Sequence, residues 1–439
     1  MQFSRWFLFF ILGLSGGLAY AQELTLNQLI DKALQSNQNV QISQISEQQT
    51  AAQIKSVKAG ARPQVNVSGD YKRYIKIPGQ VVPASAFGGP DGTYTTLAFG
   101  LPYNLSTSLQ VSQAIFNPSI GIGLKAANLS LDLSKLQTTK TKEDVAYNVS
   151  VTYYNLQSVT QQIVFLRSNL ASTEKLIKVT DLLYKNQLSQ GIDVDRLRIT
   201  HTQTKTQLQS LQASEEELIN MLKFLTGTPQ TDSLKVQVAI DEQAIQQALL
   251  QQETVNRTDL LLLDRQKALN ELNQRNTKAG FIPTLSAYGV ANSTFYGQGG
   301  EDGVFKHVPG YWVGLQLNWN IYDGSARRAK LSSQRAENNT LNLQMQQARE
   351  SILMEMKNAQ NKFLVEQQNL ASSHEQVTLA DKVYTQSQLQ FKEGTSSLTD
   401  VIQAENSLRE AQNNYLNALI NLRSAELDWK KASGNLIAK

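Results

Sequence analysis

The chain repeats itself, and this constrains its fold more than any single motif does. Ala59-Gly60-Ala61-Arg62-Pro63-Gln64-Val65 recurs as Ala279-Gly280-Phe281-Ile282-Pro283-Thr284-Leu285, 220 residues on. The stretch LQVSQAIFN, from Leu109 to Asn117, recurs as LQLNWNIYD from Leu315 to Asp323, 206 residues on. Phe224-Leu225-Thr226-Gly227 recurs as Lys431-Ala432-Ser433-Gly434 at a distance of 207. Each copy reads as long helix, strand, strand, very long helix, helix. A period of about 200 residues exceeds any solenoid unit, so two pseudo-equivalent halves of one structure are expected. Their bounds are 22–230 and 231–439.

Residues 1–21 read as a signal peptide. Arg5 supplies the positive start, Trp6 to Leu14 the apolar stretch, and Ala19-Tyr20-Ala21 a small-residue cleavage site before Gln22. No later segment offers about 18 uninterrupted apolar residues, so the mature chain is expected to be exported without a membrane helix. It has no cysteine, which excludes disulfides, thiolate metal sites and a lipidated N-terminal cysteine. The formal net charge is +4, or +3 without Arg5, with no basic block, so no nucleic-acid partner is expected.

Residues 24–61 read as a helix with Leu26, Leu29, Ile30, Ala33 and Leu34 on one face. Residues 118–190 contain no proline after Pro118. As helix they would extend about 110 Å at 1.5 Å per residue, and 324–393 repeat the pattern. The last helix carries a strict heptad: Val401, Leu408, Tyr415, Leu422 and Trp429, followed at three positions by Ala404, Ala411, Ala418, Ala425 and Ala432. Such a seam implies close, left-handed supercoiled helices. The first half keeps this register 207 residues earlier, with His201 and Glu215 at seam positions. Heptads alone fit a dimeric rod.

The strands point elsewhere. Val65, Val67 and Tyr71 alternate with Gln64, Asn66, Ser68 and Asp70. Leu109, Val111 and Ile115 alternate with Ser108, Gln110 and Ser112. Tyr311, Val313, Leu315 and Leu317 alternate with Trp312, Gly314, Gln316 and Asn318, and Leu285, Ala287 and Gly289 mark the fourth strand. One face is apolar and the other rich in amides and hydroxyls, as in membrane-barrel strands with a wet lumen. A soluble sheet lying on a core would alternate in the same way. Against that, the polar faces are amide-rich rather than charged. Aromatics, among them Tyr71, Tyr103, Phe116, Tyr311, Trp312, Trp319 and Tyr322, are expected near strand ends as an interfacial girdle. Gly/Pro-rich loops over 78–104 and 297–310 join the strand pairs. Asn117-Pro118 reads as an N-cap with proline at N1, Asp323 as the cap of the second copy, and Pro63 and Pro283 as the opposite, helix-to-strand junctions.

Four strands enclose nothing, and an open sheet in lipid leaves backbone groups unsatisfied. Two copies give eight strands, whose interior side chains fill; three give twelve and leave room for a pore. The expectation is a homotrimer: a 12-stranded β-barrel in lipid, four strands per chain, continued by long helices away from the membrane. The chain as a whole is mostly α with membrane β.

With these elements in order, the chain resembles the outer membrane efflux protein family of TolC-like trimeric export ducts. The most specific stretch is Gly394-Thr395-Ser396-Ser397-Leu398-Thr399-Asp400-Val401-Ile402-Gln403-Ala404, followed by Tyr415 to Leu422 and closing at Gly434. Ala33-Leu34 with Asn37, and Val255-Asn256-Arg257 before Asp259-Leu260, resemble the family's helix starts. The resemblance implies a periplasmic α-helical barrel, a periplasmic adaptor (membrane fusion) protein and an inner-membrane RND, ABC or MFS pump. It places adaptor docking at two hairpin tips, Gly191 with Ile192 and Gly394 with Thr395 and Ser396. Glycine at such a turn is also what left-handed helix-end geometry favours. It places a pore-entrance carboxylate at Asp400, with Asp193 as its counterpart 34 residues before Gly227 and Asp195 as the competing choice. A carboxylate at a helix N-terminus also serves the helix itself. Two departures stand out. The first tip turn reads four residues shorter than the second, and the positions three before and two after Gly394 hold Phe391 and Ser396 where well-studied relatives have Tyr and Arg.

No enzyme is expected and no cofactor or metal. His201, His307 and His374 lie in different segments without metal spacing, and no nucleotide loop is present. The alternative function is an elongated coiled-coil periplasmic adaptor or surface scaffold without a pore.

Overall fold

The computed structural model describes residues 23–238, 257–298 and 305–437. The signal peptide at 1–21 and the family-like pair Val255-Asn256 lie outside the described residues. Two compact units form: one from residues up to 43, 138–258 and 349 onward, the other from 44–137 and 259–348. Each draws segments from both of the expected halves, 22–230 and 231–439.

The unit of 44–137 and 259–348 is built on one antiparallel sheet. Its strands are β1 (Gln64–Arg73), β4 (Tyr103–Phe116), β5 (Thr284–Gly297) and β6 (Phe305–Asn318), in the order β1-β4-β5-β6. The register runs Gln64↔Ser112↔Tyr288↔Gly314 across all four strands, which puts the amide and hydroxyl residues on one face. A β-bulge between Ala114 and Phe116 resets β4 before its helix. Two expected loops contain strand. Residues 78–104 carry a small hairpin, β2 (Gly79–Pro83) and β3 (Tyr94–Ala98), where Val81, Val82, Tyr94, Thr95 and Thr96 are strand formers. Gly88 and Gly92, both at φ 81°, turn the chain between them. In 297–310, strand runs to Gly297 and resumes at Phe305, while 299–304 lie outside the described residues. Pro309 does not end β6, because β6 is an edge strand.

In the other unit the expected helix over 24–61 is two helices, α1 (Leu26–Ser36) and α2 (Gln38–Ala59), of which α2 runs on beyond residue 43. Thr25 starts α1 with a capping box onto Gln28. Asn37, at φ −65° and ψ 130°, breaks the run. Its Oδ1 accepts from the Asn39 and Val40 amides, and its buried Nδ2 donates to the Leu225 carbonyl at 2.8 Å. One side chain thus caps α2 and pins it to the end of α4 (Gly191–Leu225). Around it Leu29, Ala33 and Val40 pack with Val145, Val149 and Leu156 of α3 (Pro118–Lys185) and with Leu222 and Leu225.

The remaining helices are α5 (Thr258–Ala279), α6 (Ala326–Lys392) and α7 (Leu398–Ser433). Every heptad seam residue of α7 is buried except Trp429, which is partly so. In α4 the seam is buried at Val194, Leu197, Thr204, Leu222 and Leu225, and looser between. There the polar residues find partners on α3: His201 lies 3.2 Å from Glu174, and Glu215 accepts from the Thr160 hydroxyl at 2.7 Å.

Replacing Asn37 with Ala removes both the cap and a buried bond. We expect a loss of about 2 kcal/mol, read as a lower denaturation midpoint in detergent; an unchanged midpoint would show that Asn37 does not pin α2.

Candidate functional site: open sheet edges and hairpin turns

Among the described residues no layer covers the apolar face of the sheet. Val65, Val67, Leu109, Val111, Tyr311, Leu315 and Leu317 are all exposed, and Val313 reaches 88 %. A soluble sheet buries this face on a core, and exposed apolar patches of such extent mark an interface or a membrane surface. The opposite face is mostly amide and hydroxyl, with Asp70 and Lys72 paired at 2.8 Å near one end, and it is hydrogen-bonded within itself: Ser106 Oγ donates to Asn292 Oδ1 at 3.1 Å, and Asn292 Nδ2 to Thr294 Oγ1 at 3.2 Å. Among the described residues β1 and β6 are edges, each with a strand partner on one side only. Tyr311 and Trp312 do not stand at a strand end as expected. β6 begins six residues before Tyr311, so both sit mid-strand, Trp312 on the polar face opposite Val290.

Proline and a cap mark the ends of the sheet. Pro63 and Pro283 each immediately precede a strand, in the same turn pattern after helices ending at Ala59 and Ala279. Asn117 Oδ1 accepts from the Ser119 amide at 3.0 Å and Pro118 opens α3. Asp323 lies three residues ahead of α6, with Gly324 and Ser325 at φ 67° and 70° between. It still reaches the helix: its Oδ2 accepts from the Arg327 amide at 3.1 Å and from Arg327 Nε at 2.6 Å.

Arg327 escaped the sequence reading. Its guanidinium also donates to the Gly280 and Asn320 carbonyls and stacks over the Phe281 ring at 4.6 Å. It therefore ties the turn entering β5 to the turn leaving β6. Its position four after a capping aspartate was the available signal. Arg327 beside Asp323 holds that carboxyl below the usual carboxylate range.

The two hairpin turns prove to be equal in length. α3 and α6 both end in a bond from the residue after the left-handed position back five residues: Leu188 N–H to Leu183 O at 2.8 Å, and Thr395 N–H to Gln390 O at 2.9 Å. The left-handed positions are Gln187 at φ 61° and Gly394 at φ 75°. Gln187, not Gly191, is thus the counterpart of Gly394, and each lies six residues before its aspartate. Gly191 instead opens α4, where a Cβ would come within 3.3 Å of the Tyr184 ring. The sequence comparison was misled because glycine is common at left-handed turns and glutamine is not. Leu188, 76 % exposed, and Ile192 offer apolar surface on the first turn; Thr395 and the partly exposed Ser396 are polar.

Asp193 and Asp400 both stand three residues past the N-cap of their helices, Gln190 and Ser397. Asp400 completes a capping box: its Oδ2 accepts from the Ser397 hydroxyl at 2.7 Å, the Ser397 amide and the Ser396 hydroxyl at 3.0 Å. The bonds from Ser397 and Ser396 hold this exposed carboxyl below the usual carboxylate range. Asp193 accepts from the Ser189 hydroxyl at 3.2 Å, with Arg196 3.7 Å away. Asp195 is exposed and lies 3.7 Å from Arg198. Among the described residues no helix is long and apolar enough to cross a membrane.

An antiparallel sheet with an open apolar face, on a chain that also carries long paired helices, defines a membrane-sheet protein. The chain belongs to the outer membrane efflux protein family, whose model matches residues 29–228 and 245–435. It is 21 % identical over 444 residues to the outer membrane protein TolC of Escherichia coli K12, covering 97 % of this chain and 85 % of that protein. Its fold is that of the CusC channel (TM-score 0.74, 15 % identity, 93 % and 91 % of the two chains). It is also that of the CmeC outer membrane channel of Campylobacter jejuni (TM-score 0.72, 16 % identity, 93 % and 85 %). The protein is an outer membrane protein with its helical part in the periplasm.

Replacing Arg327 with Ala should lower the thermal midpoint. Asp323 ionises below its usual range while paired, so its contribution is present at neutral pH and lost as pH falls through the lowered value. That acid step should vanish in R327A; a retained step would remove the clamp assignment.

Proposed function

We propose that the protein is the outer membrane exit duct of a tripartite efflux or type I secretion system, conducting cargo passively while a partner supplies the energy. The observation that carries this reading is the uncovered apolar face on a four-stranded sheet with two open edges. Unpaired edge groups in hydrocarbon cost several kcal/mol each, so β1 of one copy pairs with β6 of the next. Three copies close twelve strands, with the amide face lining a wet lumen wide enough to conduct. The E. coli TolC name and the family description support the duct role. A scaffold or adaptor without a pore would leave this face without a partner.

In the same reading the hairpin turns, Gln187 to Ile192 and Gly394 to Ser396, meet the helices of a periplasmic adaptor, which links the trimer to an inner-membrane RND, ABC or MFS pump. Asp400 and Asp193, repeated by three-fold symmetry, form carboxylate rings at the entrance that favour cations and retard anions. Asp195 is the alternative in the first turn. Asp400 serves its own helix as well, and one substitution separates the two roles. Asn in place of Asp400 can still accept the Ser397 bonds while losing the charge. D400N should therefore keep the helix content by circular dichroism yet lower cation selectivity in lipid bilayers, read as a shift in reversal potential; unaltered selectivity would leave Asp400 a cap and nothing more.

The absence of cysteine makes the closure directly testable. Single cysteines on β1 and on β6, combined in mixed trimers, should cross-link between copies up to a three-chain species in native membranes. A chain that stays monomeric and leaves the membrane without detergent would end the duct reading.

A further inference from the structure

Glu405 is the most deeply buried acidic side chain among the described residues, 1 % exposed, eight residues into α7. It lies in the stretch of α7 whose Val401, Ala404 and Leu408 pack with Leu176 of α3, Leu197 of α4 and Tyr384 of α6. Its Oε1 accepts one bond, from the Thr173 hydroxyl of α3 at 3.2 Å. Its Oε2 is buried with no hydrogen-bond partner. Arg409, one turn on, is directed elsewhere: Nη1 reaches Thr204 of α4 at 3.3 Å and Nη2 reaches Asn406 at 2.7 Å. From α6 the facing titratable group is Tyr384, whose hydroxyl is pushed up to about 12 by burial and by the Glu405 carboxylate. From α3 the neighbour of Thr173 is Glu174, which pairs with His201 of α4 at 3.2 Å.

A carboxylate so placed is costly. It has lost water, it gains one neutral hydrogen bond, and no cation is paired with it. The protonated acid costs far less, and with its O–H on Oε1 it can donate to the Thr173 hydroxyl oxygen, whose own proton goes to the Asn169 carbonyl at 2.9 Å. We propose that Glu405 is a proton-binding site that sets how firmly α7 is held against α3 and α6 beside the second hairpin turn: firmly when protonated, loosely when ionised. This rests on the duct reading for its purpose, since the same turn is the proposed entrance. A loosened seam would let α7 swing and widen that entrance as pH rises, and acid would close it.

Burial raises the carboxyl above the usual glutamate range. A group shifted upward on folding contributes its stability below the unfolded value and loses it as pH rises through the folded value. The seam is therefore tightest in acid.

The experiment is amide hydrogen exchange on the full mature protein in detergent, following α7 from Leu398 to Leu408 between about pH 5 and pH 8, corrected for the intrinsic pH dependence of exchange. In the wild type, protection should fall as pH rises across this range. Glu405→Gln mimics the protonated acid, so its protection should stay high and flat. Glu405→Leu, which removes the polar group altogether, should also be flat. His201→Gln is the control, because His201 lies 3.2 Å from Glu174, the neighbour of Thr173; it should keep the wild-type profile. A wild-type profile shared by E405Q, a flat wild-type profile, or loss of the pH dependence in H201Q would each overturn the proposal. In planar bilayers the wild-type current should rise with pH and the E405Q current should not. Absence of pores in every variant would sink the duct reading alone, because the exchange data judge the proton site without it.

Discussion

Backbone hydrogen bonding in hydrocarbon governs this protein. Among the described residues its sheet has four strands and two edges, with an apolar face that none of them covers. In water the edge groups would be solvated and the apolar face would be the liability; in lipid the face is at home and the edges become the liability. Closure with further copies removes both problems. In the proposed duct the oligomer would be a requirement of the backbone rather than an addition to a stable monomer.

The helical unit is held together by different means. Leucine, valine and alanine seams dominate, and alanine at every seventh residue of α7 lets neighbouring helices approach closely. Polar residues interrupt these seams at fixed points: Asn37 at the break between α1 and α2, His201 and Glu215 on α4, and Glu405 on α7. The first three are paired across to a neighbouring element. Glu405 is only half paired, and a buried group left half satisfied is where a helix seam is weakest and most responsive to protonation.

Most elements were legible because their periodicities are strong. The two-residue alternation of β1, β4 and β6 and the heptads of α7 matched strands and a buried seam almost residue for residue. The junction prolines, Asn117 and Asp323 were readable because caps and proline have local causes. Legibility failed where the cause was not local. The break at Asn37 depends on the Leu225 carbonyl, 188 residues away. The start of β6 depends on pairing with β5, which carried the strand past Pro309 and left Tyr311 and Trp312 in mid-strand. The first hairpin turn was misaligned because Gln187 adopts a conformation that sequence assigns to glycine.

By itself, the sequence determined the strand faces, the heptad seam and membership of the outer membrane efflux protein family, because each is written in spacing or in residue type along the chain. Only the tertiary structure decided that the apolar sheet face is uncovered and that the two hairpin turns are equal. It alone also revealed that Arg327 joins two turns and that Glu405 is sealed from water. Those are facts about which distant residues meet and which groups lose solvent, and no local pattern encodes them.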